Sequence, residues 1–124
     1  MEDHNKILAE RIKAEIIGLL QSPKIFKLKL SVHLSQSLGY NYTYLSNSFS
    51  EQEGMTLEKC FISQRIERAK ELMVYEDLSL TQITDELAYS SVSHICVQFK
   101  KVTGLTPVEF KKRSRSDNFV WRPL

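Results

Sequence analysis

Leu34-Ser35-Gln36-Ser37-Leu38-Gly39-Tyr40 and Ile83-Thr84-Asp85-Glu86-Leu87-Ala88-Tyr89 are two versions of one pattern. The correspondence continues downstream. Leu45 and Phe49 match Ile95 and Phe99, with one extra residue in the second copy, and Gly54-Met55-Thr56 matches Gly104-Leu105-Thr106. A repeat at this spacing signals one supersecondary unit used twice. Each copy reads as a short helix, a tight turn at Gly39 or Ala88, a second helix and a glycine stop. That is the helix-turn-helix plan. The small turn residue lets the two helices cross closely, and Tyr40 or Tyr89 is expected to drop into the core.

On either side of these copies, the periodicity predicts an all-α fold of about seven helices, with two helix-turn-helix subdomains joined by a long linker helix. A first amphipathic helix spans about 5–21, with Ile7, Leu8, Ile12, Ile16, Leu19 and Leu20 inward and Lys6, Glu10, Arg11, Lys13 and Glu15 outward. Ser22-Pro23 ends it, since proline disfavours helix in the preceding residue, and Lys24–Lys29 reads as a connector. A short helix over 31–38 starts at Ser31 as N-cap, with Val32, Leu34 and Leu38 inward. The next, over 42–53, places Tyr44, Leu45, Ser48 and Phe49 on one stripe. Thr56 caps the linker helix over 57–75, whose apolar face is Phe61, Ile62, Ile66, Ala69, Leu72 and Met73. Ser79 with Gln82 makes a capping-box pattern for a helix over 80–87. A helix over 91–103 is capped by Ser90, and a last one starts at Pro107, a favoured first helical position, and runs to about Arg113.

This divides the 124 residues, a single domain, into subdomain one at about 5–54, the linker helix at about 56–75, subdomain two at about 79–113 and a tail, 114–124. Phe119 and Trp121 in the tail are candidates to fold back onto an apolar patch. The 42% hydrophobic and 26% charged shares are ordinary for a soluble globular chain. Net charge is only +2, but its distribution is uneven. The stretch 30–60 carries Glu51, Glu53 and Glu58 against Lys59, whereas 100–115 carries Lys100, Lys101, Lys111, Lys112, Arg113 and Arg115 against Glu109. A phosphate-binding surface is therefore expected in the C-terminal half. Cys60 and Cys96 lack metal-ligand spacing with the three histidines and read as reduced thiols of a cytoplasmic protein. No apolar run approaches the roughly 18 residues of a membrane span. With no nucleophile–base arrangement, glycine-rich phosphate loop or metal cluster in the pattern, the expectation is a non-enzyme with no cofactor and no metal.

The exposed face of the second helix in such a motif is the surface that enters a DNA major groove. A linker helix of roughly 28 Å is a spacer of suitable length for two such helices about one DNA turn, roughly 34 Å, apart. A generic repeated α-hairpin that binds no DNA fits the repeat as well.

Further residues narrow this. Ser90-Ser91-Val92-Ser93-His94, then Gln98 through Pro107 (QFKKVTGLTP) and Phe110, together with Arg65-Ile66-Glu67-Arg68-Ala69-Lys70-Glu71-Leu72, form a recognisable pattern. From about Leu28 to Lys112 the chain resembles the DNA-binding domain of the AraC/XylS family of transcription regulators. The resemblance implies seven helices, binding of double-stranded promoter DNA, activation as the usual outcome and, in many members, contact with RNA polymerase. Most members carry a separate sensing or dimerisation domain and some stand alone; the chain is one or the other, a stand-alone member or a fragment.

Carried over position by position, the resemblance implies base-facing residues Thr43, Ser46 and Asn47 on the first recognition helix and Val92, Ser93, Cys96 and Val97 on the second. Lys100 and Lys101 are phosphate candidates, with Tyr42, His94 and the helix starts at Ser31 and Ser79 as further ones. Arg65 is expected to be structural, packing its stem and bonding nearby carbonyls. The sequence also departs from the family. Asn47 and Val97 stand where arginine is common, Ser50 where lysine is common, Cys60 for an aromatic and Ala88 for the turn glycine. Arginine to guanine is the commonest specific major-groove contact, so its loss predicts weaker or more A·T-leaning reading. The alternative is a helix-turn-helix protein interaction module whose DNA face has degenerated.

Overall fold

In the computed structural model, residues 2–21 and 29–115 are described. They form helices α1 (Glu2–Gln21), α2 (Leu30–Leu38), α3 (Tyr42–Glu53), α4 (Leu57–Val74), α5 (Leu80–Glu86), α6 (Val92–Thr103) and α7 (Pro107–Ser114), with no strand among the described residues. The all-α expectation holds. The stop at Ser22-Pro23, the connector before Lys29, and Phe119 and Trp121 lie outside the described residues.

The chain divides into two compact units, Met1–Gln64 and Arg65–Leu124. In the first, α1 packs on α3 and α2. Its core is Leu8, Ile12, Ile16 and Leu20 of α1 with Leu34, Leu45, Phe49 and Leu57. Lys13 reaches Glu53 at the end of α3, Nζ to Oε1 2.6 Å, and Ser48 Oγ donates to Asn5 Oδ1 at 2.9 Å. In the second unit α5 packs on α6 and α6 on α7. Its core is Ile66, Ala69, Leu72, Met73, Ile83, Leu87, Ile95, Phe99 and Phe110.

The repeat persists down to the caps. Leu34 and Ile83, Leu45 and Ile95, and Phe49 and Phe99 are each fully buried pairs of equivalents. Thr56 Oγ1 accepts from Lys59 N, and Thr106 Oγ1 accepts from Glu109 N, both at 3.1 Å. A side-chain oxygen at each start satisfies an amide that has no partner within the helix.

Several inward assignments are corrected. Ile7 is exposed, because at about 100° per residue it lies on the far side of α1 from the Leu8–Ile12–Ile16 stripe. Ala9 is buried in its place. Val32 is exposed for the same reason, opposite Leu34 and Leu38 on α2. Phe61 and Ile62 are half-buried rather than core. Ser31 is not an N-cap: α2 begins one residue earlier, and Lys29 at the cap position makes no side-chain cap bond.

Tyr40 and Tyr89 diverge, although the repeat equates them. Tyr89 is buried and Tyr40 is 36% exposed. Arg65 stacks over the Tyr89 ring at 3.7 Å, and the Tyr89 hydroxyl donates to Gln98 Oε1 at 2.9 Å. Tyr40 instead stacks on Tyr44 at 5.0 Å, with the His4 ring edge-on. Tyr44, expected on the core stripe of α3, is 40% exposed and bonds His4 Nε2 through its hydroxyl at 2.9 Å.

The turns differ in backbone strain. Gly39 ends α2 in the left-handed region at φ 78°, where the second copy has Ala88 at φ 55°. A Cβ in that region costs roughly 1–2 kcal/mol, while glycine adds about 0.4–1 kcal/mol of unfolded-chain entropy. Ala88→Gly is therefore expected to stabilise the protein by about 0.5–1 kcal/mol, raising Tm by a few degrees. A thermal melt followed by circular dichroism checks this; a lowered Tm would show that Ala88 is not strained.

Candidate nucleic-acid interface

Helix α6 is held from both ends and from beneath. Ser91, not Ser90, is its N-cap: Ser91 Oγ accepts from His94 N at 3.0 Å. Ser90 has another task, bonding His94 Nδ1 at 3.1 Å, while the His94 ring stands edge-on to Tyr89 at 5.0 Å. His94 is thus engaged inside the turn on its Nδ1 side. Ile95 and Phe99 anchor the helix in the core, and Phe110 of α7 meets Phe99 edge-on at 5.5 Å. Upstream, α5 carries the full capping box, with Gln82 N donating to Ser79 Oγ at 3.2 Å and Ser79 N donating to Gln82 Oε1 at 2.9 Å. Ser79 is thereby occupied as a cap.

Anchoring Ile95 and Phe99 turns the other side of α6 outward. Ser93, Val97 and Lys100 follow at helical spacing and are exposed, with Val92 beside them, Lys101 next to Lys100, and Cys96 half-buried. Val97 stands out at 70% exposure in mid-helix. Among the described residues neither Lys100 nor Lys101 forms an ion pair. Some other cations are tied: Lys13 to Glu53, Lys70 to Glu67 at 2.9 Å, and Lys111 to Asp77 at 2.9 Å. The Asp77 carboxyl is held below its usual range by that Lys111 hydrogen bond.

Helix α3 presents a different face. Asn41 caps it, accepting from Tyr44 N at 2.8 Å. Thr43 and Asn47 are exposed and Ser46 is half-buried, while Leu45, Ser48 and Phe49 face inward. No lysine or arginine occurs on α3, and Glu51 is exposed. The Tyr42 hydroxyl donates to Glu58, so its bonding is directed to a carboxylate. Burial, then that carboxylate, pushes the Tyr42 phenol well above its ordinary pKa.

Arg65 joins the start of unit two to its turn. Its Nε and Nη2 both donate to Leu87 O, at 2.9 and 2.6 Å. Burial pushes the guanidinium pKa down and the neighbouring Tyr89 phenol up, to about 12. Both cysteines are free; Cys60 is buried, and burial raises its thiol pKa. Asn41 and the Thr106–Glu109 capping box are the local features that the sequence reading passed over, though an Asn before a helical stripe and a Thr-x-x-Glu are readable signals. Among the described residues no group of His, Cys, Asp and Glu converges on a metal position, and no helix is long and apolar enough to cross a membrane.

Residues 34–113 match a protein family described as a helix-turn-helix domain. The chain belongs to the AraC-type helix-turn-helix family. The AraC-type domain here is 29% identical over 83 residues to the uncharacterised HTH-type transcriptional regulator YtdP of Bacillus subtilis, covering 67% of this chain and 11% of YtdP. It is 30% identical over 88 residues to the transcriptional regulatory protein YesN of the same organism, covering 69% of this chain and 24% of YesN. The chain thus spans only about a tenth of YtdP and a quarter of YesN. Its fold is similar to the C-terminal domain of AraT, a response regulator from Geobacillus stearothermophilus, with a TM-score of 0.74 at 18% identity, covering 91% of this chain and 90% of that one. A DNA-binding transcriptional dual regulator from Escherichia coli K-12 is similar at a TM-score of 0.68 and 20% identity, over 83% and 91% of the two chains. The relatives YtdP and YesN are both described as transcriptional regulators.

Proposed function

We propose that this chain binds double-stranded promoter DNA sequence-specifically, as one domain, with α3 and α6 each reading a major-groove segment. The single observation that carries this reading is the outward stripe of α6, where the small groups of Ser93 and Val97 lead to two exposed lysines that form no ion pair among the described residues, Glu109 acting on Lys100 only through its field. Small side chains admit a base edge closely, and lysines one turn on can reach phosphates at the groove wall. On α3, Asn47 is the side chain suited to pair with adenine N6 and N7, flanked by Thr43 and Ser46. Tyr42, His94, Ser31 and Ser79 stay as secondary phosphate candidates, below the lysines, because Tyr42, His94 and Ser79 already have intramolecular partners. On the family resemblance we take the regulatory outcome to be activation, with RNA polymerase as the second partner. A promoter–reporter assay reads that directly.

Phosphate contact has a salt signature. Each neutralised phosphate contributes about −0.9 to the slope of log K against log salt. Replacing Lys100 and Lys101 by alanine is expected to weaken binding on every sequence alike and to flatten the slope by about 1 per contacting lysine. Fluorescence anisotropy across a salt series measures both; an unchanged slope would remove these lysines from the interface. A second reading, a protein interaction module, draws on α3, which carries carboxylates and no cation beside the exposed Tyr40–Tyr44 stack. Binding of a protein partner that survives high salt and the double alanine variant, with no DNA retention, would favour it.

A further inference from the structure

We infer that α6 reads thymine through the 5-methyl group, with Val97 as the specificity-determining residue. This rests on the DNA-binding reading above. Val97 is 70% exposed, while Ile95 and Phe99 on the same helix are fully buried. Its side chain is therefore not part of the core of unit two. They sit at the centre of the outward stripe, one turn after Ser93 and one turn before Lys100 and Lys101.

The chemistry of the groove selects the partner. The thymine methyl is the one sizeable apolar group on the major-groove edges, where the nitrogen and oxygen groups are all hydrogen-bond donors or acceptors and cytosine offers only a C5–H in its place. A valine can offer none of those donors and acceptors a partner. Pressing it against guanine O6 or the cytosine amine strips water from a polar group and returns nothing, which is unfavourable. Against a thymine methyl, the same approach removes apolar surface from water on both sides. Valine also has one strongly preferred χ1 rotamer in a helix, so docking freezes little side-chain motion. Neighbouring Val92 and the half-buried Cys96 extend the same apolar character, and neither supplies the bidentate fork that reads guanine. Lys100 and Lys101 then position the helix without choosing the base.

The experiment uses the 124-residue chain and randomised duplexes. Binders selected from a thymine-containing pool are recopied with dUTP in place of dTTP, which removes only the 5-methyl groups. Wild-type protein is expected to lose about fourfold in affinity per buried methyl, the ordinary value for transferring one such group. Val97→Ala is expected to weaken binding to the thymine duplexes more than to the uracil duplexes, so the ratio between the two falls by about the share of one buried methyl, roughly fourfold. Alanine favours helix at least as well as valine, so α6 stays formed. Equal wild-type binding to both duplex sets, or the same thymine-to-uracil ratio in Val97→Ala, would overturn the inference and leave DNA binding intact. Failure to bind either set would overturn the DNA-binding reading and this inference with it.

Discussion

Replacing Phe99 with alanine is expected to lower the stability of the protein by about 3–5 kcal/mol, the usual cost of emptying a fully buried aromatic site. Phe99 is wholly buried and meets Phe110 edge-on, so the loss includes a ring pair as well as buried area. A domain of this size is commonly stable by about 5–15 kcal/mol, so the change consumes much of the margin. The consequence reaches the interface, because Phe99 and Ile95 are what hold the opposite side of α6 outward. Urea denaturation followed by circular dichroism measures the shift. A loss under about 1 kcal/mol would mean that the site collapses around the cavity without cost. Phe49→Ala is the matching experiment for α3, since Phe49 is its equivalent and equally buried.

Arg65→Ala is the second large effect, expected at about 2–4 kcal/mol. The guanidinium makes two hydrogen bonds to one carbonyl, Leu87 O, and stacks on Tyr89. Hydrogen bonds to a charged group are worth roughly 1.5–3 kcal/mol, and a desolvated cation–π contact up to about 2 kcal/mol. Those two gains overlap, since one side chain makes both. Leu87 O lies at the end of α5, immediately before the strained Ala88 turn, so Arg65 fastens α4 to the point where the second motif changes direction. Arg65→Lys is expected to recover only part of the loss, because an ammonium lacks the planar fork. Chemical denaturation of the three proteins orders them wild type, Lys, Ala. A stability of Arg65→Ala within about 0.5 kcal/mol of wild type would show the contact to be dispensable, as most surface changes are.

The two halves of the molecule share a plan but differ in charge and in anchoring. In unit two the turn tyrosine is buried beneath an arginine and the recognition helix ends in lysines. In unit one the turn tyrosine is exposed in an aromatic stack, and Lys13, which reaches the end of α3, is bound to Glu53. Specific contact and phosphate attraction therefore weigh toward α6 in the function proposed.

Much of this was legible in the sequence, because it is local. The Ser79–Gln82 box, the Gly39 and Gly104 stops, Pro107 at a helix start and the period of Leu8, Ile12 and Ile16 each act within one or two turns of backbone. The repeat by itself gives Phe49 and Phe99 equivalent roles. Three matters were decided only by tertiary packing. Ile7 and Val32 are apolar but lie off the buried stripe, since one helix cannot bury its whole circumference against neighbours on one side. Tyr40 and Tyr89 part company because only Tyr89 has Arg65, 24 residues upstream, above it and Gln98 of the next helix within reach. The availability of a lysine is likewise non-local: Lys13 meets a carboxylate 40 residues away, whereas Lys100 and Lys101 project from a helix whose other side is anchored. Sequence alone determined the helices, the Ser79 and Thr56 caps and the tandem motif, for these follow from short-range hydrogen bonding and periodicity, whereas the caps at Asn41 and Ser91 emerged only with the backbone in place. Folding decided which tyrosine is buried and which cations stay open, for those depend on charges and rings brought together across the chain.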